Sequence, residues 1–209
     1  VLFRSYAKKM NPELKLFMSP WSAPGWMKDS QQMIGGKLLL KYYDTYAHYF
    51  KKVIDSYHMH GLDIYAITPQ NEPLFVPPNY PGMEMLADEQ ATFVAKYLKP
   101  LFNDNNIRTK ILGYDHNWDR IDYPLEILDK AEAAFDGIAW HWYGGNVINQ
   151  SRVALFYPDK EIHFTEGSGG DWIPAFEPAF SNLMRTGINI FRNGAKSMTL
   201  WNLALDENN

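Results

Sequence analysis

A chain of 209 residues with 46% hydrophobic residues is long enough to form one domain with a sizeable buried core. Its net charge of −4, without a block of like charges, excludes the electrostatic footprint of a nucleic-acid or anionic-membrane partner. The absence of Cys excludes disulfides and thiolate metal sites, and the sequence has no apolar run long enough to predict an integral membrane segment.

Short apolar runs alternate with longer segments of helical period, which is the pattern of repeated βα units around a parallel sheet. These runs are apolar on both faces, as expected when helices cover one side of a sheet and a barrel interior lies on the other. The predicted strands cover residues 14–18, 64–68, 110–114, 137–142, 161–165 and 197–202.

Four helices are predicted between the strands. The clearest has apolar residues at three- and four-residue steps from Leu39 to Tyr57, followed by Gly61 at the position of a C-cap. The second is marked by apolar residues from Phe93 to Leu101 and is expected to end near Pro100. The other two cover residues 125–131 and 180–191, and the last is expected to end at the Asn193-Gly194 pair.

This order of elements predicts an α/β fold, a (β/α)8 TIM barrel of which the chain is a truncated fragment. A complete barrel usually needs about 250 residues. Because only six strands are predicted in 209 residues, we expect the other two strands to precede residue 1. The alternative is an open doubly wound sheet, which would carry a Gly-rich phosphate turn after its first strand. The only Gly-rich stretch, residues 167–170, does not match that motif.

In a barrel the active site lies at the carboxyl ends of the strands, so the polar residues just beyond each apolar run are the candidates. Two isolated carboxylates, Glu72 and Glu166, occupy such positions, and the aromatic content of 15% is concentrated in part around them. Cleavage of a glycosidic bond needs two carboxyl groups, one to protonate the leaving oxygen and one to attack or stabilise the sugar cation. A single Glu at a strand end is usually a solvated surface residue, so the hypothesis depends on the pair.

The neighbours of the two carboxylates suit a sugar. Asn71 can donate its amide to the sugar 2-hydroxyl, and Tyr143 can donate a hydrogen bond to an ionised nucleophile. Trp21 and Trp201 can form the walls of a sugar pocket, although a single Trp is more often a packing residue. His141 lies at the end of the fourth predicted strand and joins the same group.

The histidines raise a metal-dependent hydrolase as an alternative. His163 precedes Glu166 by three residues, but on a strand these positions point to opposite faces and cannot share a metal. His58 and His60 lie at a helix end, where cationic side chains suit the helix dipole. We therefore expect no metal and no cofactor.

Five motifs occur in order along the chain. They are Ser19-Pro20-Trp21 with Pro24-Gly25-Trp26-Met27-Lys28, Thr68-Pro69-Gln70-Asn71-Glu72-Pro73, His141-Trp142-Tyr143, Phe164-Thr165-Glu166-Gly167 and Trp201-Asn202-Leu203-Ala204-Leu205. Together they resemble glycoside hydrolase family 30, the glucosylceramidase-like family of retaining β-glycosidases.

The resemblance implies roles for the site residues. Glu72 would be the acid/base and Glu166 the nucleophile, while Trp21 and Trp201 would line the subsite for the cleaved sugar. Such an enzyme needs a raised pKa for Glu72, which we expect the nearby negative charge of Glu166 to supply, and an ionised Glu166. The visible strands would be strands three to eight, so residues 1–209 would be a partial catalytic domain without the first two strands, the last helix and an accessory β-sandwich. A fragment with such an open sheet edge is not expected to be stable or active alone.

The loop after Glu72, residues 74–83, resembles the bacterial members, including β-1,6-glucanases, and places Tyr80 among the candidate substrate-binding residues. The resemblance therefore implies a β-glucoside as substrate, with a glucosylceramide-type or β-1,6-glucan leaving group. A xylan-directed member and a non-catalytic carbohydrate-binding barrel are the alternatives. The expected partner is a carbohydrate or glycolipid, and the expected location is secreted or periplasmic.

Overall fold

A computed structural model describes residues 2–169 and 176–202 of the chain. Its strands form one 6-stranded sheet in which the spatial order follows the chain order and every neighbouring pair is parallel. The predicted fold class, a partial TIM barrel, is confirmed. The strands are β1 (Leu16–Met18), β2 (Ile64–Ile67), β3 (Lys110–Asn117), β4 (Gly137–His141), β5 (Glu161–Glu166) and β6 (Ala195–Met198).

The last strand differs most from the prediction. It begins at Ala195 and ends at Met198, whereas residues 197–202 were expected to form it. The chain nevertheless continues beside β5, because Thr199 N donates to Phe164 O at 2.9 Å and Trp201 N donates to Gly167 O at 2.9 Å. The polar and aromatic residues after Met198 therefore follow the strand direction without regular strand pairing.

Helices cover the sheet. Helix α2 confirms the first predicted helix, and Gly61, with φ of 71°, donates its backbone N–H to His58 O just beyond the end of α2. In the described part of the chain, no helix is both long enough and apolar enough to cross a membrane. The helices are α1 (Leu2–Met10), α2 (Tyr43–His58), α3 (Ala87–Phe93), α4 (Lys99–Asp104), α5 (Asp122–Ala131), α6 (Ile148–Phe156) and α7 (Phe176–Arg192). Among the helices between strands, α6 was not predicted.

The prediction that the second helix ends near Pro100 is wrong. Helix α3 passes through a π-helical turn, Val94–Leu98, directly into α4, where Pro100 occupies the first turn. A proline inside a helix removes a backbone donor and clashes with the preceding turn. The wider π turn, in which Lys99 N donates to Val94 O, lets the helix continue through this position.

The central strands β3 and β4 carry the core. All five residues of β4 are buried, and Trp140 is completely so. Helix α5 packs closely on β3 because Gly113 has no side chain, and a Cβ there would lie 2.3 Å from Ile127 Cδ1. The strands that hold the candidate site are therefore fixed by packing on both faces.

Candidate active site

The predicted site residues meet at the carboxyl ends of the strands. One open pocket of about 350 Å³ contains both carboxylates, and His141 lines the adjoining cavity. The predicted residues that line this pocket are Trp21, Asn71, Glu72, Tyr80, Tyr143, Glu166 and Trp201.

A bulge in β3 shapes the site. The pairing of β3 with β4 shifts between Tyr114 and His116, and both Tyr114 and Asp115 have left-handed φ values, 72° and 65°. Because the bulge interrupts the alternation of side chains, the consecutive residues Asp115 and His116 both reach the same group of site residues. Tyr114 N is satisfied by Gln90 Oε1 at 2.9 Å.

Asp115 lies at the centre of the site and is completely buried. Ser19 Oγ and Thr68 Oγ1 donate to its Oδ2 at 2.5 and 2.6 Å. Thr165 Oγ1 donates to its Oδ1 at 2.6 Å, and His141 Nε2 lies 3.0 Å from the same oxygen. Burial opposes the charge, but His141 and these hydroxyls outweigh it and lower the pKa of Asp115. Asp115 was not assigned a function from the sequence, although it directly follows the apolar run at residues 110–114.

His141 joins Asp115 to Glu72. Its Nε2 faces Asp115 and its Nδ1 lies 3.1 Å from Glu72 Oε1. Burial alone would lower the pKa of the imidazole, but the carboxylates of Asp115 and Glu72 raise it to about 10. His141 is therefore a buried imidazolium between two carboxylates. Its predicted contact with the sugar stays a prediction, since both ring nitrogens face protein groups.

Glu72 has an environment that the sequence did not indicate. Its φ is 44°, and its backbone N–H donates to Asp115 O at 2.9 Å. Burial raises the pKa of its carboxyl group, but His116, with Nδ1 3.5 Å from Oε1, and His141 lower it to about 2. The expectation of a raised pKa for Glu72 is wrong, because it omitted these two histidines.

Glu166 ends β5 across the pocket. The hydroxyl of Tyr143 donates to its Oε1 at 3.1 Å, as the sequence predicted, and also contacts Ser168 Oγ at 3.0 Å. Burial and the charge of Glu72 raise the pKa of Glu166, while His141 and the Tyr143 hydroxyl oppose the rise. Tyr143 N donates to Asn117 Oδ1 at 3.0 Å. Neither Ser168 nor Asn117 was assigned a function from the sequence.

Aromatic side chains form one wall of the pocket. The ring of Trp21 lies 5.4 Å from the rings of both Trp201 and Tyr80, so three residues from distant segments form one continuous surface. Tyr80 and Trp201 remain 39% and 44% exposed, which leaves their faces open to a ligand. Such surfaces suit the flat apolar face of a sugar ring. Asn71 borders the wall, with its backbone N–H bound to Pro20 O at 2.9 Å.

Histidine and carboxylate atoms also lie close enough to raise the question of a metal. Among the described residues, ligand atoms of Glu72, His116 and His141 lie within 4.8 Å of one another. Both ring nitrogens of His141 already contact carboxylates, so the group is accounted for as an ion-pair network. The absence of a metal or cofactor stays a prediction.

His163 contacts residues other than Glu166, in agreement with the prediction that the two do not share a metal. Its Nε2 lies 3.1 Å from Glu161 Oε2 and its Nδ1 lies 2.8 Å from Ser197 Oγ, on the partner strand. Glu161 begins β5 and Glu166 ends it, so His163 pairs with the carboxylate at the other end of the strand.

A parallel sheet in chain order, with two carboxylates and an aromatic wall at the carboxyl ends of its strands, defines the class of barrel-type glycoside hydrolases. The chain belongs to glycosyl hydrolase family 30, whose TIM-barrel domain matches residues 2–208. The family resemblance drawn from the five motifs is confirmed.

Similar proteins of known name are consistent with this family assignment. The chain is 33% identical to the endo-1,6-beta-D-glucanase BGN16.3 of Trichoderma harzianum, covering 94% of this chain and 42% of the relative. It is 31% identical to the putative glucosylceramidase 4 of Caenorhabditis elegans, covering 93% and 41%. A solved structure, the endo-beta1,6-glucanase BT3312, superimposes with a TM-score of 0.92 at 33% identity, covering 99% of this chain and 50% of that one. The chain thus spans about half the length of the relatives it matches.

The charges of Glu72 and His141 give folding a defined pH dependence. The lowered pKa of Glu72 contributes stability that is present above pH 4.5 and is lost as the pH falls toward about 2. The raised pKa of His141 contributes stability that is full below pH 6.5 and is lost as the pH rises toward about 10. We expect His141→Gln to lower the free energy of unfolding most between pH 4.5 and 6.5, measured by urea unfolding across pH.

The matched control is His58→Gln, which removes an exposed histidine that pairs with Asp63. An exposed pair contributes only about 0–1 kcal/mol, so the control should change stability little. A loss in His141→Gln that is the same at every pH would contradict the ion-pair description.

Proposed function

We propose that the protein is a retaining β-glycoside hydrolase that acts on β-glucosides by double displacement. The observation that carries the proposal is the pair of unlike carboxylates in one sugar-sized pocket, Glu72 held by histidines and Glu166 held by a tyrosine hydroxyl. Retaining glycosidases use such a pair as acid/base and nucleophile. Family membership and the names of the relatives support the same class of reaction.

In the first step Glu166 attacks the anomeric carbon and forms a glycosyl ester, while the bond to the leaving group breaks. Glu72 donates a proton to the departing oxygen, so no alkoxide is released. The Tyr143 hydroxyl, 3.1 Å from Glu166 Oε1, favours the ionised form of the nucleophile and orients it. The wall of Trp21 and Trp201 holds the sugar ring in place during the attack.

In the second step water attacks the anomeric carbon of the ester, and Glu72 takes the proton from that water. Glu166 leaves as a carboxylate, and two inversions restore the original configuration. No cofactor takes part in either step. The reaction requires that Glu72 alternate between acid and base, and its contact with the protonated His141 supports that alternation.

The substrate we propose is a β-glucoside with a β-1,6-glucan or a glucosylceramide-type leaving group. Both are named among the relatives, and the loop that carries Phe75 and Tyr80 supplies exposed aromatic surface beside Glu72, where the leaving group departs. Residues 1–209 would form part of the catalytic domain of a longer protein. A polymeric or lipid-linked substrate fits a secreted or periplasmic location.

A covalent trap tests the nucleophile. Incubation of the full-length natural protein with an activated 2-deoxy-2-fluoro β-glucoside should give a stable glycosyl-enzyme, because the fluorine slows its hydrolysis more than its formation. Peptide mapping by mass spectrometry is expected to find the label on Glu166. Glu161, at the other end of the same strand, is the internal control and should carry none. Turnover of the parent β-glucoside without a label, or a label elsewhere, would overturn the assignment.

Chemical rescue tests the acid/base. Glu72→Ala should lower kcat/KM on an unactivated β-glucoside by about 10²–10⁴-fold, since general acid–base catalysis contributes about that factor. Azide should restore turnover of an activated aryl glucoside and give the β-glucosyl azide, detected by NMR. Glu126→Ala, an exposed carboxylate that pairs with Lys130, should retain wild-type rates. Failure of azide to rescue Glu72→Ala would contradict the role.

A substrate panel tests the leaving group. The full-length protein should hydrolyse β-1,6-glucan or glucosylceramide and should act far more slowly on xylan, whose sugar lacks the hydroxymethyl group that a glucoside places in the pocket. Reducing-sugar release and product chromatography measure the three rates. Faster turnover of xylan would replace the substrate assignment. Binding to one of these carbohydrates with no turnover of any would favour a carbohydrate-binding barrel.

A further inference from the structure

We propose that Asp115 and His141 act as a couple that stores the catalytic proton and positions Glu72, with Asp115 holding His141 as an imidazolium whose Nδ1–H is donated to Glu72 Oε1. The inference rests on the proposed function, since it gives the acid/base its proton. Both are positioning residues, because they act on the reaction through Glu72.

Asp115 is completely buried, so its carboxylate depends on the hydrogen bonds of its neighbours. Its carboxylate has no exposed surface, and its oxygens are surrounded by three hydroxyl groups and one imidazole. A buried charge is tolerated only when it is paired and hydrogen-bonded, and these contacts supply both conditions. A carboxylate so enclosed is unavailable to a sugar and acts on the site only through its neighbours.

The geometry of His141 completes the couple. Its side chain is 1% exposed, with Nε2 3.0 Å from Asp115 Oδ1 and Nδ1 3.1 Å from Glu72 Oε1. With both carboxylates ionised, each ring nitrogen faces an acceptor, and only the imidazolium has two N–H groups to donate. The ring is also held edge to face by Tyr143 and by His116, with ring centres 6.1 and 6.4 Å away.

Asp115 reaches Glu72 by a second route, through the backbone. Asp115 O accepts the backbone N–H of Glu72 at 2.9 Å, and both residues have left-handed φ values of 65° and 44°. Such conformations are unfavourable for non-Gly residues and persist where surrounding contacts impose them. The bulge of β3 therefore fixes the main chain of Glu72 while its side chain is fixed through His141.

The proton balance follows from these contacts. Before the reaction Glu72 is ionised and His141 carries the proton. As the glycosidic bond breaks, that proton passes from His141 Nδ1 through Glu72 to the leaving oxygen, which leaves Glu72 ionised and His141 neutral with its Nε2–H on Asp115. When water attacks the glycosyl-enzyme, its proton passes to Glu72 and returns to His141 Nδ1. One proton is used and one is regained in each turnover, and no external acid is needed.

Charged and titratable groups face Glu72 from the neighbouring strand ends. Asp115 governs the couple because, among the described residues, it is the hydrogen-bond partner of the far nitrogen of His141. The Asp115 charge favours the proton on the pair, so it should extend activity to higher pH. The groups facing Glu72 are Tyr80 from its own loop, Asp115 and His116 from β3, His141 and Tyr143 from β4 and the turn after it, and Glu166 from β5.

The test uses Asp115→Asn in the full-length natural protein. The substitution keeps the shape and removes the charge, so the basic limb of the kcat/KM profile should move down by at least one pH unit. At the pH of the wild-type limb, the rate should fall at least tenfold on a poor leaving group and much less on a 2,4-dinitrophenyl glucoside, which needs no proton. An unshifted basic limb, or equal losses on both substrates, would overturn the proposal.

Two further variants distinguish loss of the couple from a general folding defect. His141→Gln should shift the basic limb in the same direction, and the double variant should shift it no further than either single one, because both remove the same couple. Asp136→Asn is the matched control. It removes a half-buried carboxylate that binds Lys99 and the Ile111 amide far from the pocket, and it should leave the limb in place. Additive shifts would contradict the couple.

A measurement without substrate separates this proposal from the proposed function. With ¹⁵N-labelled histidine, NMR should show the His141 ring as an imidazolium through neutral pH in the wild type and neutral there in Asp115→Asn. If the protein turns over no β-glucoside but this signal is found, the proposed function fails and the charge couple stands. If azide rescues Glu72→Ala and the His141 signal is neutral in both proteins, the function stands and the couple fails.

Discussion

The buried carboxylate of Asp115 is the constraint on which the carboxyl end of the sheet depends. Its oxygens collect hydroxyls from Ser19, Thr68 and Thr165 and the imidazole of His141, so groups at the ends of β1, β2, β4 and β5 converge on one residue of β3. An unpaired carboxylate in this position would be strongly unfavourable, which makes the convergence obligatory. The strand ends are therefore held in mutual register by charge compensation as well as by the backbone ladder.

The same carboxylate explains why the two glutamates differ. Burial raises the pKa of both glutamates and the charge of His141 lowers both, but Glu72 also has direct contacts with the side chains of His116 and His141, whereas Glu166 has a tyrosine hydroxyl. Two chemically identical side chains thus acquire opposite pKa shifts from their different partners. Tyr143 moderates the effect on Glu166 by donating its hydroxyl to the carboxylate.

Much of this arrangement was visible in the sequence, and the reasons for the omissions are physical. The apolar runs and the motif around Glu72 identified the barrel strands and the residues at their ends, because burial on both faces and strand-end polarity are local properties. The bulge at Asp115 was not visible, since it breaks the two-residue alternation on which strand reasoning depends. The continuation of a helix through Pro100 was missed because a π-helical turn has no simple sequence signal. The predicted order of the pKa values of Glu72 and Glu166 was wrong, because it depends on His116 and His141. Only the folded chain defines the distances of these histidines from Glu72.

The backbone contact between Trp201 and Gly167 links two parts of the site that are usually considered separately. Because Trp201 N is bound to the carbonyl next to Glu166, the aromatic wall and the proposed nucleophile share one piece of main chain. Tyr80, on the other side of Trp21, lies instead on a long loop between β2 and α3. Changes in that one loop can therefore reshape the half of the pocket proposed to hold the leaving group, while the half proposed to hold the cleaved sugar is tied to the backbone that carries Glu166.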